Sequence, residues 1–202
     1  MVNSMDFQQL KQEYQNCQRC PVLCKSRTKV VFGSGNQNAK VLFIGEAPGK
    51  EEDRQGIPFC GMSGKVLEEL LASISLTRDE VFITNTILCR PENNRNPAKD
   101  EVENCRQRLD TLIEILKPKV IVTIGNFATE RILGKAGVTK LHGKVHALVF
   151  QQREIKVIPV IHPANLLYNG RNPELLQQMK DDFKVIQNVI EEKKAQKGLP
   201  EF

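Results

Sequence analysis

Lys40-Val-Leu-Phe-Ile-Gly-Glu-Ala-Pro-Gly49 is the stretch on which the fold turns. An unbroken apolar run followed by a bend rich in glycine and proline reads as a short buried strand that ends in a loop. Three further runs share this character: Val81-Phe-Ile-Thr-Asn85, Lys119-Val-Ile-Val-Thr-Ile-Gly125 and Ile155-Lys-Val-Ile-Pro-Val-Ile-His162. A strand wetted on one side alternates apolar with polar residues. Near-continuous apolar runs belong instead to a parallel sheet covered on both faces. Between them lie helical patterns. From about Ser63, Val66, Leu67, Leu70 and Leu71 share one face, and residues 99–116 carry Val102, Leu109, Leu112, Ile113 and Leu116. Residues 4–16, 127–133 and 173–195 are also predicted helical. The expected fold class is therefore α/β, a three-layer α/β/α sandwich around a central four-stranded parallel sheet. One domain is expected over residues 1–202, with a cysteine-bearing N-terminal segment (1–30) and a flexible tail (196–202).

Composition narrows the function less than the fold. At 202 residues and 40% hydrophobic content the chain can bury one substantial core. No run approaches the roughly 18 apolar residues of a membrane span, and the N-terminus lacks the apolar core of a signal peptide, so a cytoplasmic protein without a membrane partner is expected. The net charge of +5 permits a polyanionic partner without requiring one.

The six cysteines are unevenly placed. Cys17, Cys20 and Cys24 crowd the N-terminus, while Cys60, Cys89 and Cys105 stand apart. Structural disulfides are disfavoured in a reducing compartment, so clustered plus dispersed thiols suggest a metal site closed by folding. Cys17-x2-Cys20 precedes Pro21, and Cys89 and Cys105 lie sixteen positions apart. The second tight pair of a zinc ribbon is missing, and spacing alone leaves an iron–sulfur cluster, a zinc ion and no metal all open.

Ligands of parallel α/β sheets sit beyond the carboxyl ends of the strands. Those ends carry Gly45-Glu46-Ala47-Pro48-Gly49, Asn85 and His162-Pro163-Ala164, which should meet in one cleft. Phosphate loops are excluded by spacing: before Gly64-Lys65 the required glycine is Phe59, and no dinucleotide G-x-G-x-x-G follows a strand. Taken singly, His162 reads most simply as a buried structural histidine. Together, the Glu46 carboxylate, the Asn85 amide, His162 and Phe59, whose loop Gln55-Gly-Ile-Pro-Phe-Cys-Gly61 should expose an aromatic face, are what a pocket needs to read a flipped nucleobase.

The whole pattern resembles the family-4, iron–sulfur-cluster uracil-DNA glycosylases over roughly residues 15–190. The matching pieces are Cys17-Gln-Arg-Cys-Pro21, Gly45-Glu-Ala-Pro-Gly49, Glu52-Asp-Arg-Gln-Gly56, Pro58-Phe59 with Gly61, Thr84-Asn85 with Cys89-Arg90-Pro91, Cys105, and His162-Pro163-Ala164. The resemblance implies excision of uracil from single- or double-stranded DNA as the first step of base excision repair. It implies a [4Fe–4S] cluster on Cys17, Cys20, Cys89 and Cys105, with Cys24 and Cys60 left over. The substrate-binding set would be Gly45, Glu46, Ala47, Gly49, Phe59, Asn85 and His162, with Glu46 and His162 catalytic. Phe59 would stack on uracil, Asn85 would read its polar edge, and His162 would bond its O2.

The chain also departs from that pattern. Cys60 stands where relatives usually carry an aliphatic residue, leaving an oxidisable thiol beside the pocket. Ala47 replaces the aspartate of the more familiar uracil-DNA glycosylases, so stabilisation of the leaving group should carry more of the catalysis. Leu166 and Leu167 are the candidates for filling the vacated base position. Lys29, Lys40, Lys50, Arg54, Lys65 and Arg171 are candidate phosphate contacts, as is the helix start at Ser63-Gly64. A monomer is expected, with replication or repair proteins as further partners. Two readings compete: a non-catalytic DNA-binding or polymerase-associated module on the same fold, and a zinc-stabilised nucleotide hydrolase.

Overall fold

A computed structural model describes residues 5–195. Among them six strands form one sheet: β1 (Ser34–Gly35), β2 (Val41–Gly45), β3 (Phe82–Asn85), β4 (Val120–Ile124), β5 (His146–Phe150) and β6 (Arg153–Val160), in the order β1-β3-β2-β4-β6-β5. The four expected strands are the four inner ones, and all their pairings are parallel. The sheet is wider than a four-stranded one because β1 and β5 add antiparallel edges. β1 has two residues, too few to register as a pattern. β5 alternates half-buried with exposed residues, as an edge strand wetted on one side does.

Side chains leave a strand on alternating faces, and the core divides accordingly. Leu42, Ile44, Phe82, Ile121 and Val157 face one layer, while Val41, Phe43, Ile83, Val122 and Ile158 face the other. The first layer contains α1 (Phe7–Gln15), the short α2 (Pro21–Ser26), α5 (Lys99–Leu116) and α6 (Gly125–Leu133). The second contains α4 (Met62–Ala72), α8 (Ala164–Tyr168) and α9 (Pro173–Ala195). Two small helices, α3 (Lys50–Gln55) and α7 (Val138–Leu141), lie within the connecting segments.

The first helix starts later than expected because Asp6 caps it: its carboxylate accepts from the Gln9 N–H, and the Gln9 side chain returns a bond to the Asp6 N–H. Ser4 and the expected tail 196–202 lie outside the described residues. The last inner strand ends at Val160, so His162 sits two residues beyond it. No described helix is long and apolar enough to cross a membrane.

From β2 the chain crosses to β3 on one side, then returns past β2 to β4 on the other. The helices that follow β2 and β4 consequently cover opposite faces, and the loops leaving these strands diverge. A crevice opens at that point.

Candidate functional site

The crevice is a cleft of about 690 Å³ lined by Glu46, Phe59, Asn85, Gly125 and His162, among others. Its floor is the paired end of two strands. Gly45 and Asn85 are register partners, and the Thr86 N–H and Oγ1–H both donate to the Gly45 carbonyl, at 2.8 and 2.9 Å. The Ile87 N–H donates to the Glu46 carbonyl at 3.1 Å, which fastens the 45–49 loop to the segment after β3. Asn85 is only 1% exposed, and its Oδ1 has no hydrogen-bond partner among the described residues. A buried amide oxygen left unpaired is unfavourable by about 1–3 kcal/mol, so this acceptor is open to a donor from a ligand.

Phe59 forms a wall of the cleft, but it is not the exposed aromatic that its loop suggested. It is buried, with its ring 5.9 Å from that of His162 and inclined by 30°. Its backbone is left-handed, at φ 51°, a conformation disfavoured for a bulky residue. Arg78 holds it there by donating from Nη1 to the Phe59 carbonyl at 2.8 Å and from Nη2 to the Pro58 carbonyl at 2.6 Å. At Gly64, in the first turn of α4, a Cβ would strike that same Phe59 carbonyl, so glycine is required.

His162 packs over Gly125, whose φ of 84° suits glycine and whose missing side chain leaves room for the imidazole. The Ala164 N–H donates to Nδ1 of His162 at 3.1 Å, which leaves Nε2 to carry the proton of the neutral ring. Burial pushes the imidazole down to about 4, against a smaller opposing pull from Glu52. The ring is therefore a neutral donor at ordinary pH. Glu46 is half-buried, and burial pushes its carboxyl above the usual range. Ala47 lines the cleft but brings only a methyl group, which packs on the apolar core.

Sequence reasoning gave no role in the site to three contributors. Glu52 lines the cleft, accepts from the Gly61 N–H at 2.9 Å and leaves Oε2 only 2.7 Å from where a Cβ at Gly49 would stand. Gly125 and Arg78 act through the side chains they admit or hold. Glu52 could have been suspected from its place just after the glycine-rich loop, but Arg78 could not, since its partner lies nineteen residues away. Cys60 is half-buried, and burial together with Glu52 pushes its thiol up, which keeps it in its less reactive protonated form.

The four cysteines expected to bind metal meet in one place. Cys20, Cys89 and Cys105 are buried in the same core layer, with Cys17 packed against it. Nη1 of Arg27 donates to the Cys89 sulfur at 3.1 Å and Nη2 to the Cys17 carbonyl at 2.6 Å, while the Asn104 amide reaches the Cys20 sulfur at 3.5 Å. Among the described residues, no three Cys, His, Asp or Glu side chains are already set at metal-holding spacing. The thiols are neighbours rather than a closed shell.

At the rim the structure redistributes two expectations. Leu166 is fully buried and Leu167 packs against the core, whereas Tyr168, at the end of α8, is 86% exposed and lines the cleft. Of the expected phosphate contacts, Arg54 is paired with Glu51 and Arg171 with Glu69.

Residues 32–184 match the family model described as the uracil DNA glycosylase superfamily. A type-4 uracil-DNA glycosylase of Sulfurisphaera tokodaii is 42% identical over 189 residues, covering 91% of this chain and 84% of that protein. One from Archaeoglobus fulgidus is 42% identical over 179 residues, 86% of this chain and 88% of that protein. A third, from Saccharolobus solfataricus, is 38% identical over 187 residues, 90% and 85%. With a family match over most of its length and relatives this similar over nearly their whole chains, this chain belongs to the uracil DNA glycosylase superfamily, among its type-4 members.

Proposed function

We propose that this protein hydrolyses the bond between uracil and deoxyribose in DNA, leaving an abasic site. The observation that carries the proposal is the buried, unpartnered Oδ1 of Asn85 in a cleft walled by Phe59 and His162. A flipped uracil presents an N3–H to this acceptor and O4 to the Asn85 amide N–H, while cytosine offers the reverse pattern at both atoms. Each mismatch leaves a buried polar pair unsatisfied, at roughly 1–3 kcal/mol. The face of Phe59 supplies a stacking surface.

Cleavage builds positive charge on the sugar and negative charge on the departing base. Fixed donors placed where that charge develops lower the barrier. Nε2–H of the neutral His162 donates to O2 of the leaving uracil, assisted by backbone N–H groups of the 45–49 loop. Burial keeps this imidazole neutral, so it acts on the anion as a fixed N–H dipole. Glu46 orders the attacking water or offsets the sugar cation. Ala47 has no carboxylate to offer, so leaving-group stabilisation supplies the larger share.

Cys17, Cys20, Cys89 and Cys105 would hold a [4Fe–4S] cluster. The donor set supports this: four thiols from three separate segments, with N–H donors aimed at two of the sulfurs. When bound, the cluster supplies a structural clamp joining the N-terminal segment to α5 and to the loop after β3. The enzyme would act on uracil in the cytoplasm as a monomer, with repair or replication proteins meeting it at DNA.

The test is incubation of the intact protein with a labelled oligonucleotide containing one uracil, followed by alkaline cleavage of abasic sites. Scission at uracil and not at thymine is the expected result. No scission in either single- or double-stranded substrate would overturn the proposal.

A further inference from the structure

Arg108, on α5, is fully buried at 0% exposure, and it is the largest side chain so enclosed. Other arginines on or against α5 pair normally: Arg106 with Glu103, and Arg131 with Asp110. Arg108 pairs with no carboxylate among the described residues, and its Nε has no hydrogen-bond partner there. A buried cation without a counter-charge is severely destabilising. Cys105, one of the four thiols expected to bind metal, lies one helical turn earlier on α5, three residues from Arg108, and is buried with it.

The guanidinium itself is spent on the end of β3. Nη2 donates to the Asn85 carbonyl at 2.6 Å and to the Thr86 carbonyl at 3.1 Å, and Nη1 donates to Thr84 Oγ1 at 3.2 Å. The Thr84 hydroxyl in turn donates to the Phe32 carbonyl at 2.8 Å. Thus one planar fork grips three consecutive residues at the end of β3, the middle one being Asn85.

We propose that Arg108 is a positioning residue that couples the metal-binding wall to base recognition. The negative charge of the thiolates bound to metal balances the guanidinium, and the guanidinium fixes the strand end that carries Asn85. This rests on the glycosylase and cluster readings above. On this view the metal centre acts on uracil selectivity as well as on stability, through a single buried side chain.

The experiment compares the intact, metal-loaded protein with Arg108→Lys and Arg108→Met. Three quantities are read: iron content, the midpoint potential of the cluster, and affinity for free uracil. Removing a buried positive charge beside the thiolates should make the potential more negative in Arg108→Met, and Arg108→Lys should restore it. Both variants lose the fork, so both should bind uracil about ten-fold more weakly. A folded, iron-loaded Arg108→Met with wild-type uracil affinity or an unchanged potential would overturn the proposal. Should that variant not fold, wild-type protein decides the matter: chelation of the metal should speed amide exchange at residues 84–87 while leaving β4 protected, and unchanged exchange there would overturn it. Wild-type protein lacking metal would instead sink the cluster reading and this proposal with it. Failure to cut uracil-containing DNA would sink the glycosylase reading, whereas exchange at 84–87, measured without substrate, reports on the coupling through Arg108 by itself.

Discussion

The Oδ1 of Asn85 occupies the space in which a Cβ at Gly45 would lie, and the Phe59 ring comes within 2.7 Å of that same point. The glycine is therefore the floor that lets the acceptor and the aromatic wall converge. The backbone of Gly45 is not in the left-handed region, so alanine meets only a steric obstacle. Gly45→Ala should displace Asn85 and Phe59 and lower uracil excision by about 10²-fold. Steady-state kinetics on a single-uracil oligonucleotide, alongside thermal unfolding, would show whether the loss is local.

Asn85→Asp should relax discrimination against cytosine. At this buried position desolvation favours the protonated aspartic acid, whose hydroxyl can donate to cytosine N3 while its carbonyl accepts from N4. The ratio of kcat/KM for uracil to that for cytosine should fall by about five-fold to 10²-fold, since one mismatched buried pair is worth roughly 1–3 kcal/mol. An unchanged ratio would remove Asn85 from base reading.

His162→Ala should lose about 10²–10³ in kcat, the usual effect of deleting one donor to a developing anion. The same residue also shapes stability against pH. Its imidazole is pushed down to about 4 when folded, against about 6.5 for a free histidine, so the unfolded chain takes up the extra proton. Stability should fall as pH drops from about 6.5 to about 4, by on the order of 3 kcal/mol, and change little through this group below that. Denaturant unfolding at several pH values should show a shallower slope across this window in His162→Gln.

Tyr168, and not Leu166 or Leu167, should fill the gap left by an extruded base. A stacked aromatic is worth about 1–3 kcal/mol, so Tyr168→Ala should slow excision from duplex DNA about ten-fold and leave single-stranded substrate nearly untouched. Equal loss on both substrates would argue against a role in the duplex.

The inner sheet was legible because Val41–Gly45, Phe82–Asn85 and Val120–Ile124 are buried on both faces, and burial of that kind leaves an unbroken apolar run. The edges were not. The β5–β6 hairpin turns through Gln151 and Gln152, both at positive φ, where asparagine or glycine would have announced the turn. In the site, Glu46, Asn85 and His162 were legible because strand ends collect ligand chemistry. The burial of Phe59 was not, because Arg78 and Gly64 set it from outside its own loop. Likewise, whether Leu166 or Tyr168 faces solvent depends on how α8 docks, which five residues of sequence do not encode. The cysteine spacing brought four thiols together but left their ligand to family resemblance.

The left-handed turn at Phe59 has one more consequence. Its unfavourable backbone is settled once, during folding, against the fixed guanidinium of Arg78. An arriving base therefore meets a ring already in place and need not order a loop to obtain it. Little conformational entropy remains to be lost at each encounter, and more of the stacking energy is left to hold the base outside the helix long enough for the bond to break.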